Sequence, residues 1–138
     1  MKSLNIYLNF SGNCQEAFEF YQSVFGGELT NRQTYGEIPG DQSQESEKNK
    51  LVHIRLQVGL VSLMGGDRPN SMGETSFGNA YTVSFQTEDL KEATQVFNGL
   101  ATGGTVVMPL AESFWGSTFG MLNDKFGIQW MINCEKVV

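Results

Sequence analysis

The stretch NCQEAFEFYQSVFGG, residues 13–27, decides the fold because the chain writes it twice. Asn13 is a favoured N-cap residue, Glu16 stands three positions on, where it can reach back in a capping box, and Ala17, Phe20, Tyr21 and Val24 follow at i, i+3, i+4 and i+7. Gly26-Gly27 ends the helix so predicted. The stretch DLKEATQVFNGLATGG, residues 89–104, repeats the arrangement 76 residues later. Asp89 with Glu92 restates the cap, Ala93, Val96, Phe97 and Leu100 restate the stripe, and Gly103-Gly104 falls within a residue of its expected place. Cap, stripe and stop seldom coincide by chance, so the halves are cognate modules.

Strands flank both helices. Leu4, Ile6, Leu8 and Phe10 alternate with Asn5, Tyr7 and Asn9, which predicts a strand with one apolar face. Glu28 to Tyr35 predicts a second strand, and Leu51 to Val58 with Leu60 to Met64 a hairpin broken at Gly59. In the second half Ala80 to Thr87 precedes the helix. Thr105 to Leu110 and the stretch SFWGSTFGMLNDKFGIQWMINC, residues 113–134, follow it, the latter split into strands near 115–122 and 128–133 by Asn123-Asp124-Lys125. The predicted class is therefore α+β: two βαβββ modules, about 1–66 and 79–138, in a single domain spanning 1–138. They are expected to form a curved mixed sheet around a cavity, with the helices on its outer face. The loops 36–50 and 65–78 are expected to be irregular, the first because its acidic residues are interrupted by Gly36, Pro39, Gly40 and serines.

Composition excludes several classes. Apolar residues at 40% and charged residues at 17% fit a globular chain and exclude wholesale disorder. A net charge of -6 removes the general attraction to phosphate backbones, so no nucleic acid partner is expected. The apolar runs are far too short for a membrane span, and Met1-Lys2-Ser3-Leu4 opens directly into a strand without signal-peptide features. A cytoplasmic location without membrane association is the expectation. Cys14 and Cys134 are too few for a disulfide framework, and both are read as structural thiols.

The doubled βαβββ pattern resembles the vicinal oxygen chelate superfamily of glyoxalase I, extradiol dioxygenases and bleomycin-resistance proteins. The PhnB-like branch is the nearer resemblance. It is carried by Tyr7-Leu8-Asn9-Phe10 with Gly12-Asn13, by Glu16-Ala17-Phe18, Phe20-Tyr21 and Phe25-Gly26-Gly27, and by Leu63-Met64-Gly65 with Asp67. Phe114-Trp115-Gly116, Phe119-Gly120, Asp124, Phe126-Gly127 and Trp130 extend it through the end of the chain. Metal-dependent members of that superfamily hold a divalent ion on the concave sheet face, and the resemblance puts the corresponding slots near Asn5, Met64, Ala80 and Met131. Thioethers, an amide and a methyl are poor ligands for such an ion, so no metal or other cofactor is expected. His53 is the sole histidine, which points the same way. PhnB-like sequences are also described as methyltransferases; Gly26-Gly27 and Gly103-Gly104 follow helices instead of leading from a strand into one, which argues against that activity.

The remaining chemistry lies on the polar face of the strands. His53, Arg55 and Gln57 share a face opposite Val52, Ile54, Leu56 and Val58. His53 could serve as a base near neutral pH and Arg55 could hold an anionic group, though both suit ordinary half-exposed strand positions better. Trp115, Phe119 and Met131 could stack an apolar or aromatic ligand or simply fill a small barrel. The leading reading is a metal-independent small-molecule binding, sequestering protein, with ligand contacts from Tyr7, His53, Arg55, Trp115, Phe119, Gln129 and Met131, and with His53 and Arg55 as weak catalytic candidates. The alternatives are a metal-dependent lyase, isomerase or dioxygenase of the glyoxalase type, and a dimeric protein with a filled cavity. A homodimer is expected in any case, since the superfamily pairs modules between chains and sheet edges need cover.

Overall fold

A computed structural model describes residues 2–135 of the chain. The order is β1 (Ile6–Phe10), α1 (Cys14–Phe25), β2 (Glu28–Thr34), β3 (Leu51–Val58), β4 (Val61–Asp67), β5 (Val83–Thr87), α2 (Leu90–Ala101), β6 (Thr105–Glu112), β7 (Thr118–Asn123) and β8 (Gln129–Cys134). The doubled βαβββ pattern is therefore present. The strands make two four-stranded mixed sheets, β1-β4-β3-β2 and β5-β8-β7-β6, and no closed barrel among the described residues. In each sheet the first and last strands of the module run parallel side by side, Phe10 opposite Asp67 in one and Thr87 opposite Cys134 in the other. The chain divides into two compact units at Ser76 and Phe77. The first unit extends past the expected boundary near 66 because Thr75 donates its amide to Ser11 Oγ at 2.9 Å and Arg68 donates its own to the Phe10 carbonyl at 2.7 Å.

Each helix covers one face of its own sheet. Under α1 lie Leu8, Phe10, Ile54 and Leu56; under α2 lie Leu122, Trp130 and Ile132. Burying each such side chain contributes about 1.5–3 kcal/mol, which is why these strands alternate. The buried stripe of α2 is Ala93, Val96, Phe97 and Leu100, as the periodicity predicts. That of α1 is Cys14, Ala17, Phe18 and Tyr21, one turn earlier than predicted, and Phe20 and Val24 are half-buried.

The shift has a cause. Asn13 makes no side-chain cap; instead the buried carboxylate of Asp67, at the end of β4, accepts the amides of Gly12 at 2.8 Å and Cys14 at 3.0 Å through Oδ1 and that of Leu51 at 2.9 Å through Oδ2. The first turn of α1 is thus drawn into the core. In α2 the cap is local, as expected, with Asp89 accepting from Lys91 and Glu92. Glu92 departs from the expected box, because its carboxylate accepts the Thr87 hydroxyl at 2.6 Å.

Among the strands whose limits differ from prediction, β4 and β7 bear on the site, while β1 and β5 simply begin later, at Ile6 and Val83. Gly65-Gly66-Asp67 continue β4 instead of opening a loop. A Cβ at Gly65 would lie 2.6 Å from Phe18, and one at Gly66 would collide with the Tyr7 hydroxyl and the Val52 carbonyl, so these glycines mark close approaches on opposite faces of the strand. β7 begins at Thr118, because Ser113 and Ser117 close a turn around Gly116, whose φ is +92°. Trp115 therefore stands in a turn and not in the strand. The 36–50 loop includes two short 3-10 turns, Tyr35–Glu37 and Glu45–Glu47. No helix among the described residues is long and apolar enough to cross a membrane.

Candidate functional site: the open sheet faces

The sheet face of module one away from α1 is organised in rows. Tyr7 stands beside Met64, Met64 opposite Arg55, and Arg55 opposite Thr30. A second row runs Ser62, Gln57, Glu28, in which the Ser62 hydroxyl donates to Gln57 Oε1 at 2.7 Å. The alternation that puts Ile54 and Leu56 under the helix forces His53, Arg55 and Gln57 to this side, as predicted.

Tyr7 and His53 come together. Their rings stack at 5.7 Å between centroids and 29° between planes, and the Tyr7 hydroxyl donates to the Val52 carbonyl at 2.7 Å. Only a glycine at 66 lets the phenol lie across β4 in this way. Burial, with the thiol of Cys14, the phenol of Tyr35 and the carboxylate of Asp67 nearby, raises the Tyr7 hydroxyl above its usual range, so it stays a donor at ordinary pH. Arg55 donates from Nη2 to the Met64 sulfur at 3.8 Å, a weak acceptor for a guanidinium, while its Nε is closed off from solvent with no protein acceptor.

Module two carries the same row in different chemistry. Ser84 stands beside Met131, Met131 opposite Met121 and Met121 opposite Met108. Counting back from the matched strand ends, Met131 takes the place of Met64, Met121 that of Arg55 and Met108 that of Thr30. Three thioethers side by side make a polarisable, adaptable surface. The next row runs Gln86, Asn133, Phe119, Ala111, and Asn133 Oδ1 is buried without a donor. Phe119 meets Trp115 edge to face at 5.8 Å, and Trp115 in turn meets Phe114 at 4.8 Å.

Of the residues singled out from sequence, Tyr7, His53 and Arg55 share the open face of module one, and Phe119 and Met131 share that of module two. Trp115 is 56% exposed at the turn and reaches that face only through Phe119. Gln129 shares that face with Met131 by alternation, and one of its amide N–H groups donates to the Gly78 carbonyl at 2.7 Å. Sequence reasoning gave Met108 no role, because its edge strand reads as unremarkable until its register with Met121 is known. Cys14 is buried, and burial together with the Asp67 charge pushes its thiol well above the range in which thiolates form.

The metal slots implied by the superfamily do not suit a divalent ion. Asn5 and Ala80 lie outside β1 and β5, and the Asn5 amide donates to Ser3 Oγ at 3.0 Å. Met64 Sδ faces the Arg55 guanidinium, whose charge would repel a cation there. No group of three or more His, Cys, Asp or Glu side chains that could hold an ion occurs among the described residues.

Comparison with known proteins adds to this geometry. A family model described as 3-demethylubiquinone-9 3-methyltransferase matches residues 2–133. Protein YjdN of Escherichia coli is 32% identical, over 96% of this chain and 95% of its own. The structure of protein PA1353 from Pseudomonas aeruginosa superposes with a TM-score of 0.86 at 39% identity, covering 98% of this chain and 100% of that one. A PhnB protein from Bacillus cereus gives 0.78 at 26%, covering 96% and 99%. The fold alone is shared with a glyoxalase/bleomycin resistance/dioxygenase family enzyme from Burkholderia phytofirmans, with a TM-score of 0.60 at 20% identity and coverage of 93% and 95%.

Proposed function

We propose, from the premise that this chain belongs to the PhnB-like family described as 3-demethylubiquinone-9 3-methyltransferase, within the glyoxalase/bleomycin resistance/dioxygenase superfamily, that it binds a small molecule without a metal. The ligand on this reading has an apolar or aromatic body and at least one polar group, and it lies on an open sheet face. The observation that carries the reading is the buried guanidinium N–H of Arg55, left without a protein acceptor beside the Tyr7–His53 stack and the Met64 sulfur. An unpaired buried donor on a cation is costly, and such positions persist where a ligand completes them. On module two, the thioether row and Phe119 beside the unpaired Asn133 Oδ1 support the same class of ligand.

Methyl transfer is not part of this reading. A nucleoside-bearing methyl donor is ordinarily cradled by glycines that lead from a strand into a helix. Here Gly27 and Gly104 bring the chain against the backbones of β3 and of Asn123-Asp124, and Gly65-Gly66 are pressed by Phe18 and Tyr7. A homodimer belongs to the reading as well, supported by edge strand β6, where Thr105 to Pro109 are exposed on both faces.

The test is a thermal-shift and calorimetric screen of aromatic acids and amphiphilic amides against protein purified without chelator or polyhistidine tag, with elemental analysis of the same sample. Binding that is saturable in the parent and lost in Arg55→Met, whose melting profile stays intact, supports the proposal. Near-stoichiometric zinc, iron, manganese or nickel, with activity abolished by chelator, would replace it with a metal-dependent enzyme.

A further inference from the structure

We infer that module one carries a second site, for a small oxyanion, beyond the carboxyl ends of β1 and β4. A cleft of about 180 Å³ opens there, lined by Ser11, Lys50, Arg68, Asn70, Gly73 and Glu74, and it shares no residue with the rows of the open face. Its volume is more than ten times what one water requires, enough for a phosphoryl or carboxylate group with part of the molecule that bears it.

The walls are fixed before any ligand arrives. The segment after β4 is pinned by Arg68 N to the Phe10 carbonyl, by Asn70 N to Glu47 Oε1 at 2.6 Å and by Thr75 N to Ser11 Oγ. On this frame the two cations are held by neutral groups. Lys50 Nζ donates to Asn70 Oδ1 at 3.0 Å, keeping two protons for other acceptors, and Arg68 Nη2 donates to the Met72 carbonyl at 2.6 Å.

Neither cation has a carboxylate partner among the described residues, although the chain holds 15 Asp and Glu against 9 Lys and Arg. Arg68 Nε is moreover closed off from solvent with no protein acceptor. A guanidinium that lines the cleft and is braced at one corner by a carbonyl suits an oxyanion, which accepts from its remaining planar N–H groups at short range. Glu74 shares the cleft and leaves it a net single positive charge, so it tempers the affinity and disfavours highly charged anions.

The experiment titrates the full chain with inorganic phosphate and, separately, with acetate, at constant ionic strength, following amide shifts by NMR and heat by calorimetry. The expected result is saturable movement of the Ser11, Asn70 and Gly73 amides. Arg68→Gln should weaken binding about tenfold or more, the loss of a charge-assisted hydrogen bond, and Lys50→Gln about threefold. Glu74→Gln should tighten it by a similar factor, and Arg55→Met should leave it unchanged, which separates this site from the open face. Saturation by acetate alone assigns a carboxylate, and by phosphate a phosphoryl group. If Arg68→Gln unfolds the chain, Lys50→Gln and Glu74→Gln still decide. No saturable shift for either anion, or a response unaltered in both of those variants, overturns the proposal.

Discussion

Asp67 Oδ1 accepts the Cys14 amide proton at 3.0 Å, so helix α1 begins on a carboxylate supplied by a strand 53 residues further along the chain. The same side chain also receives the amides of Gly12 and Leu51, and thereby ties β1, α1, β3 and β4 together at one buried point. Its negative charge sits at the positive end of the helix, where the amide dipoles favour it.

Asp67→Ala is expected to be among the most damaging single substitutions in module one. Three backbone donors lose a charged acceptor, at a cost of about 3–5 kcal/mol. Urea unfolding would show a midpoint shift of that size, and Asn13→Ala, at a cap position that makes no side-chain bond, should change the midpoint far less.

Asp124 plays a comparable part in the β7–β8 turn, accepting from Phe126 N at 2.8 Å, Ile128 N at 3.0 Å and the Trp130 indole at 2.9 Å. Asp124→Asn preserves the shape but sets an amide donor against the indole N–H when its oxygen serves the two backbone donors. A loss of about 1–3 kcal/mol is expected, with a change in the near-ultraviolet dichroism of the buried Trp130. An unaltered spectrum with undiminished stability would refute this role.

Gly66→Ala should displace the Tyr7 ring, because a methyl there collides with the phenol oxygen and with the Val52 carbonyl. Overpacking of this kind costs about 1–3 kcal/mol. The signature would be loss of the Tyr7 ring-current effect on His53 proton shifts, read by NMR. Tyr7→Phe, which removes the bond to Val52 but not the ring, should retain most of that effect.

Alkaline pH supplies a test with a definite sign. Burial raises both the Tyr7 phenol and the Cys14 thiol above their ordinary values of 10.0 and 9.0, so the folded state holds these protons more tightly than the unfolded chain. Their contribution is full below pH 9 and declines as the pH rises past 9 and 10, because the unfolded state releases protons first. Stability measured in urea should fall across that range, and Tyr7→Phe with Cys14→Ser should flatten the fall relative to its own neutral-pH value. Native Cys14 should also react with a disulfide reagent far more slowly than after denaturation.

The repeated pattern was legible because cap residue, stripe, glycine stop and strand alternation are local signals, and they located both helices and all eight strands within a few residues of where they lie. What escaped was set from a distance. Asn13 and Asp89 read alike, yet only Asp89 caps, since Asp67 reaches Cys14 across the fold and turns the buried stripe of α1 back by one helical turn. Gly65-Gly66 read as a loop because a strand with two glycines makes sense only once Phe18 and Tyr7 are known to press on it. For the open face, alternation correctly put His53 and Arg55 on one side with Gln57. It could not show that Arg55 lacks an acceptor for Nε, or that Met108, Met121 and Met131 line up, since both depend on register between strands. Trp115 was misplaced by continuing the alternation through Gly116, whose backbone turns instead.

At Gly65-Gly66 the first sheet is one peptide thick. The Phe18 ring from the helix side and the Tyr7 ring from the open side press on adjacent residues of bare backbone, with no side chain of β4 between them to yield or absorb motion. Elsewhere a displaced ring on one face would be cushioned by the residues beneath it. Here a displacement of Tyr7 would press on the same stretch of main chain against which Phe18 of α1 packs, so a change on the open face would be felt on the helix side of the sheet.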